Sequence, residues 1–198
     1  MIVKSIYETS YPGMYKVAGD SGAAFFIRPE YLPFIPFDTI ETDVEFDDEK
    51  TDMLLDAGLA CVVELKAVEY LARSEQSRFG LSRKLIEKKY EKKYINMALD
   101  FLESKKYLSD SRFSRAWLNS RKINHFEGRK KLLMELQSRG ISKEIAVIAI
   151  DEFFQENDEL EICKKALERF IKKGKTDEKL YEAMINAGFS WKMVKEIK

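Results

Sequence analysis

Apolar residues recur at helical spacing along most of the chain after residue 47. In one segment, Ile95, Ala98, Leu99 and Leu102 follow the i, i+3, i+4, i+7 spacing of a single helix face. Comparable stripes continue towards the C-terminus and are separated by short turns. They predict about nine helices, and helices this short need to pack against neighbours to be stable in water.

The first 47 residues have a different pattern. Short apolar runs at 14–18 and 23–27 flank Gly19–Gly22, a connection typical of a β-hairpin. Three prolines then interrupt regular structure, at Pro29, Pro33 and Pro36. We expect a small β head of two or three strands, followed by an acidic connector.

Three six-residue stretches of the helical region can be aligned with one another. They are Leu85–Tyr90, Leu136–Ile141 and Met184–Phe189, and each ends one apolar-periodic segment just before the next begins. A repeat of about fifty residues built only from helical pattern is typical of a helical array.

We therefore predict a mainly α protein: an elongated array of three tandem three-helix units with a small N-terminal β-containing head. The expected segments are the head with its connector at 1–47, a lead-in helix and the first unit at 48–109, the second unit at 110–156 and the third at 157–198.

Short polar side chains mark several expected helix starts. Ser77, Asp110 and Ser142 each precede an apolar stripe and are suited to cap a helix N-terminus. Trp117 and Trp191 fall on apolar faces, so we expect both indole rings to anchor cores.

The net charge of zero hides a segregation of charge. Residues 1–65 hold 4 basic and 13 acidic side chains, whereas residues 66–150 hold 20 basic and 10 acidic ones. Residues 151–198 are nearly neutral, with 10 basic and 11 acidic side chains. This distribution predicts a middle region that faces a polyanion or an acidic protein.

The sequence contains none of the motifs that mark common catalytic or cofactor sites. It has no phosphate-binding glycine loop, no nucleophile elbow and no helical HExxH, and His125 is the only histidine. Cys61 and Cys163 are isolated from each other in sequence, which is typical of reduced, buried thiols. We expect no catalytic residues, no cofactor and no metal.

The sequence also bears on location. No apolar run is long enough to span a membrane, and the N-terminus lacks the pattern of an export signal. A cytoplasmic protein is therefore expected, and a monomer is the simplest expectation for its oligomeric state.

Basic side chains of the middle region provide the candidate binding site. At helical spacing, Arg112, Arg115 and Lys122 share one stripe, and Phe113, Ala116 and Trp117 share another that could enter a core. Guanidinium groups suit phosphate and carboxylate because they can bond two oxygens at once. The candidate partner-binding or DNA-binding residues are Arg73, Arg78, Arg83, Lys84, Arg112, Arg115, Arg121, Lys122, Arg129, Lys130 and Arg139.

Several short motifs stand in a fixed order between Ala67 and the C-terminus. They are Ala67–Arg73, Ser77-Arg78, Tyr107–Phe113, Ala116-Trp117, Arg139–Ile141 and Gly188–Ser190. In this order, and with the internal repeat, they resemble the RecX family of bacterial recombination regulators (RecA modulators). The chain departs from the family at Ser109-Asp110, where paired acids are frequent, and at Phe79-Gly80, where helix-favouring residues are usual.

The resemblance implies tandem three-helix units and a regulatory role without catalysis. It implies that the protein binds the RecA recombinase filament on DNA, lies in the filament groove and inhibits strand exchange and ATP hydrolysis. Weak nonspecific DNA binding is compatible with this role.

Two other functions stay open at this point. Three-helix units are also similar to helix-turn-helix modules, in which a basic helix enters the major groove of DNA. A helical scaffold for an unidentified partner is the third possibility.

Overall fold

A computed structural model of the protein describes residues 1–197, apart from the side chains of residues 123 and 124. The N-terminal part contains three strands: β1 (Val3–Glu8), β2 (Tyr15–Gly19) and β3 (Ala24–Ile27). Nine helices follow within the described residues: α1 (Asp48–Leu71), α2 (Arg78–Glu87), α3 (Lys92–Ser104), α4 (Asp110–Asn124), α5 (Arg129–Gln137), α6 (Lys143–Glu156), α7 (Glu159–Lys172), α8 (Asp177–Asn186) and α9 (Trp191–Ile197). The prediction of a mainly helical chain with a small β head is confirmed.

The chain forms two compact units. The first comprises Met1–Ser74 and Leu81–Leu108, and the second comprises Glu75–Gly80 and Ser109–Lys198, with Lys198 itself outside the described residues. The finer division into segments at 1–47, 48–109, 110–156 and 157–198 stays a prediction.

The β head shares a core with helices of the first unit. The three strands form an antiparallel sheet in the order β1-β2-β3, and β3 packs on α1. Val17 and Ile27 of the sheet are buried in the same cluster as Leu54 of α1 and Leu99 of α3. So small a sheet buries little apolar surface by itself, and this shared core explains how the head is held.

A buried ion pair ties the β head to α1. The Arg28 side chain donates to both carboxylate oxygens of Glu64 at 2.7 Å, and Tyr31 donates its hydroxyl to the same group at 2.9 Å. Arg28 also donates to the carbonyl of Pro12 and lies 4.6 Å from the ring centroid of Phe101. Because every charged atom has a partner, the pair can persist away from water.

The second unit contains two hydrophobic clusters. One joins α4, α5 and α6 and includes Leu118, Leu136 and Ile150. The other joins α7, α8 and α9 and includes Met184 and Val194. Each helix therefore contributes one apolar face to a cluster, as the periodicity predicts.

The three aligned stretches of sequence adopt one backbone motif. The amide of the last residue of each stretch donates to the carbonyl of the first at 3.2–3.3 Å, and the residue before it has a positive φ angle. This is the Schellman helix ending, which favours glycine at the positive-φ position. Gly140 and Gly188 occupy that position in two of the turns, and Lys89 occupies it in the third at φ 68°.

Both glycine turns receive the start of another helix within the second unit. The Ser77 hydroxyl donates to the Arg139 carbonyl at 2.9 Å, and a β-carbon on Gly140 would overlap Phe79. At the other turn, the Gly128 amide donates to the Ala187 carbonyl at 2.8 Å. A β-carbon on Gly128 would lie 2.5 Å from the Gly188 carbonyl oxygen, so this contact leaves no room for side chains.

Three sequence expectations about individual side chains are wrong. Ser109, not Asp110, caps α4, and Asp110 instead accepts the Arg78 amide at 2.8 Å. Trp191 is 51% exposed, so it does not anchor a core. Ala116 is also exposed, because the buried face of α4 is centred on Ser114 and Leu118.

Replacing Lys89 with glycine should stabilise the protein. Lys89→Gly removes the strain of a left-handed lysine, and we expect a gain of about 0.5–1 kcal/mol in the free energy of unfolding by urea. Lys88→Gly is the matched control, because it removes the same charge at a residue outside the positive-φ set and should destabilise. A loss of stability in Lys89→Gly would contradict the argument.

A methyl group at Gly188 should be far more harmful than one at Gly174. Both glycines have positive φ, but a β-carbon on Gly174 meets nothing within 4 Å, whereas one on Gly188 overlaps the Lys131 backbone. We expect Gly174→Ala to cost about 1 kcal/mol and Gly188→Ala about 3 kcal/mol in urea unfolding. Equal losses would show that the backbone contact contributes nothing.

Candidate functional site

The predicted cationic residues divide between the two units. Arg73, Arg83 and Lys84 belong to the first unit. The second unit holds the remaining ones, which are Arg78, Arg112, Arg115, Arg121, Lys122, Arg129, Lys130 and Arg139. Five of the arginines in the second unit are ion-paired with carboxylates of the same unit.

Two arginines of α4 bridge to other segments of the second unit. Arg112 donates from Nε to Glu75 at 2.7 Å, which connects α4 to the segment before α2. Arg115 donates to both oxygens of Glu152 in α6, at 2.6 and 2.9 Å. The hydrogen bonds from Arg115 lower the pKa of the Glu152 carboxyl. These two arginines therefore tie α4 to other segments of the second unit rather than presenting unpaired guanidinium groups.

Arg129 connects α5 to both α6 and α7. It donates to Glu159 at 2.9 Å and also pairs with Asp151. Its guanidinium lies 4.7 Å from the ring centroid of Phe154. Burial alone would lower the pKa of Arg129, but the hydrogen bonds to Glu159 and Asp151 outweigh it and raise the pKa.

Trp117 is contacted by two arginines. The guanidinium carbons of Arg121 and Arg139 lie 5.2 and 4.7 Å from its ring centroid. Arg121 is held by Glu127 at 2.7 Å, and Arg139 is held by Glu135 at the same distance. Trp117 thus packs partly in the core and partly under paired charges, which sequence periodicity could not show.

Four predicted residues have no hydrogen-bonded or ion-paired side-chain partner within the described part of the chain. Arg73 and Arg83 in the first unit, and Lys122 and Lys130 in the second, are all exposed. Of the other two predicted residues, Lys84 lies 5.4 Å from the ring centroid of Tyr70, and the backbone of Arg78 is held by Asp110.

The described residues show no arrangement typical of metal-dependent or thiol chemistry. No group of three or more His, Cys, Asp or Glu side chains suited to a metal ion occurs among them. Burial raises the pKa of the Cys61 thiol to about 12 and that of Cys163 to about 11, so both stay protonated at neutral pH. Within residues 1–197 no helix is long and apolar enough to cross a bilayer.

One concentration of basic residues was missed by the sequence analysis. Residues 164–175, at the end of α7, contain six basic side chains and one acidic one. This cluster of positive charge can be read from the sequence. It does not show in the net charge of residues 151–198, because acidic residues in the first turns of α7 and α8 offset it.

The arginine bridges should matter for stability more than neighbouring unpaired cations. Arg121→Gln removes a pair in which the side chains are only 22% and 14% exposed, and it leaves Glu127 without its partner. We expect a loss of about 2 kcal/mol in the free energy of unfolding. Lys122→Gln, one residue away, should change it by less than about 0.5 kcal/mol. Similar effects in the two variants would refute the distinction.

Comparison with known proteins identifies relatives over two thirds of the chain. A protein named Regulatory protein RecX from Treponema pallidum (strain Nichols) is 37% identical over 132 residues, which cover 67% of this chain and 80% of the relative. A protein of the same name from Chlorobium limicola is 30% identical over 136 residues, which cover 66% and 83%.

Solved structures and a family model agree with these relatives. A crystal structure of regulatory protein RecX has a TM-score of 0.76 at 16% identity and covers 99% of this chain and 98% of that chain. The structure of RecX from Lactobacillus salivarius has a TM-score of 0.60 at 18% identity and covers 70% and 94%. The model described as RecX, second three-helix domain, matches residues 109–150. With relatives of this identity and coverage, the chain belongs to the RecX family of regulatory proteins.

Proposed function

We propose that this protein binds the RecA recombinase filament on DNA and inhibits strand exchange and ATP hydrolysis by lying in the filament groove. The observation that carries the proposal is the 37% identity to Regulatory protein RecX over 80% of that relative. The role is that of a cytoplasmic regulator without catalysis, and a monomer is the expected form.

The distribution of unpaired cations supports binding to an extended partner. Arg83 lies in α2, Lys122 in α4 and Lys130 in α5, so single positive charges are spread over several helices. Each exposed charge contributes little alone. Several contacts along a repeating filament act together because the first one raises the effective concentration of the rest.

The ion pairs refine the proposed contact residues. Arg112, Arg115, Arg121, Arg129 and Arg139 are held by carboxylates of the second unit, so using them would first require breaking those pairs. Arg73, Arg83, Lys122 and Lys130 need no such exchange. We therefore assign the first contacts with the filament to these four side chains.

The same pairs weigh against the alternative of a helix-turn-helix-like DNA-binding module. A recognition helix needs side chains that can reach base edges in the major groove. In α4, the most arginine-rich helix, Arg112 and Arg115 are directed to Glu75 and Glu152. Binding of filament through scattered surface cations fits these contacts better than base reading by α4.

The test follows ATP turnover by a RecA filament on single-stranded DNA while the protein is added. The wild-type protein should lower turnover, and Arg83→Gln/Lys130→Gln should need several-fold more protein for half-maximal inhibition. Lys4→Gln/Lys16→Gln is the matched control, because it removes two positive charges from the β sheet and should inhibit like the wild type.

Two results would count against the proposal in different ways. Unchanged ATP turnover at an excess of wild-type protein would reject inhibition of RecA. Equal weakening of both double variants would show that net charge, rather than the four assigned side chains, determines binding.

A further inference from the structure

The end of α7 carries a dense group of basic side chains that the candidate site does not include. Among residues 164–175, Lys165, Arg169, Lys172 and Lys173 follow one another at helical spacing, and Lys175 comes two residues later. Steps of four residues correspond to about 6 Å along a helix axis. The basic groups are therefore arranged in a row.

Two clefts of the second unit lie along this row. One has a volume of about 360 Å³ and is bordered by Phe126, Arg169, Phe170 and Lys175. The other, of about 520 Å³, is bordered by Lys165 and Lys172. They share Phe126, Arg169 and Lys173, so they are two parts of one depression, which we call the α7 cleft.

The charge of the α7 cleft is positive after its acidic neighbours are considered. Glu127 lines it but is held by Arg121 at 2.7 Å, and Glu168 is the other carboxylate on its walls. Lys165 is partly engaged by Glu161 at 2.5 Å. Lys172 and Lys173 have no ion-paired carboxylate among the described residues and are exposed. An anion entering the cleft therefore meets positive charge that is not already neutralised.

Two phenylalanine rings line the same cleft. Phe126 and Phe170 are half-buried: each packs in part against the cluster of α7, α8 and α9 and in part borders the cleft. The ammonium of Lys175 lies 5.8 Å from the Phe170 ring centroid. Aromatic rings beside a row of cations are the combination with which proteins bind single nucleic-acid strands, because bases stack on rings while phosphates meet the charges. An acidic peptide would use the charges but has no need of the ring faces.

The stabilising role of basic residues at a helix end explains only part of this arrangement. Arg169 and Lys172 lie in the last turn of α7, where positive charge complements the helix dipole. Lys173 and Lys175 lie beyond the helix, and Lys175 reaches a ring at the cleft wall. The helix dipole therefore does not account for the placement of these two lysines.

We propose that the α7 cleft binds a single nucleic-acid strand, with Lys172 and Lys173 contacting its phosphates and Phe126 and Phe170 contacting its bases. This binding site is separate from the four residues assigned to the RecA filament. It needs no RecA, so the two proposals can fail independently.

The test measures binding of a fluorescein-labelled oligo-dT strand by anisotropy, without RecA, at 50 mM and 200 mM salt. We expect Lys172→Gln/Lys173→Gln to weaken binding at least about tenfold at the lower salt and to reduce the slope of log affinity against log salt by about 1.4. The matched control is Lys164→Gln/Lys179→Gln, whose residues line neither part of the cleft. The control should bind like the wild type.

Three results would overturn the proposal. The first is the absence of binding by the wild-type protein at 50 mM salt. The second is equal loss of affinity in the two double variants, which would indicate a nonspecific effect of charge. The third is that duplex DNA binds as tightly as oligo-dT, or that polyglutamate displaces oligo-dT as effectively as unlabelled oligo-dT does. Either outcome would show that the cleft does not prefer a single strand.

Discussion

The organisation of the second unit depends on two turns that the start of another helix approaches too closely for a β-carbon to fit. At Gly188 the turn accepts hydrogen bonds from the start of α5, and a β-carbon on either Gly128 or Gly188 would overlap the opposite backbone. At Gly140 the turn receives Ser77 and Phe79 from the start of α2. Because these helices are short, their stability depends on packing, and the turns fix which helix start meets which helix end.

Several arginines of this chain bridge to carboxylates through more than one contact. Arg28 in the first unit and Arg112, Arg115, Arg121 and Arg129 in the second all bond carboxylates, mostly with two nitrogens or two acidic partners. The planar guanidinium group suits such bridging, whereas the ammonium of lysine is a single flexible charge. Lysines such as Lys122, Lys130, Lys172 and Lys173 stay on the surface, where they can meet an anionic partner.

Periodicity predicted the helices and the small β head, because both depend on which positions are apolar. It also located the three turns, since each helix ending has a local backbone requirement. The partners of the arginines could not be predicted, because Arg112 pairs with Glu75 and Arg115 with Glu152, each 37 residues away in sequence. Even for α4, the predicted apolar stripe was displaced by about one residue, enough to expose Ala116 and leave Ser114 fully buried.

The turn at Lys89 separates two roles of the repeated backbone motif: ending a helix and receiving the start of another. Its turn has the same hydrogen bonds as the turns at Gly140 and Gly188, so the helix ending itself tolerates a lysine at positive φ. Receiving another helix start demands more, because the glycine turns have no space for a β-carbon. Lys89 has that β-carbon, so its turn cannot receive a helix start in the same way. The repeated motif therefore ends a helix three times, but a helix start approaches it this closely only at the two turns that contain glycine.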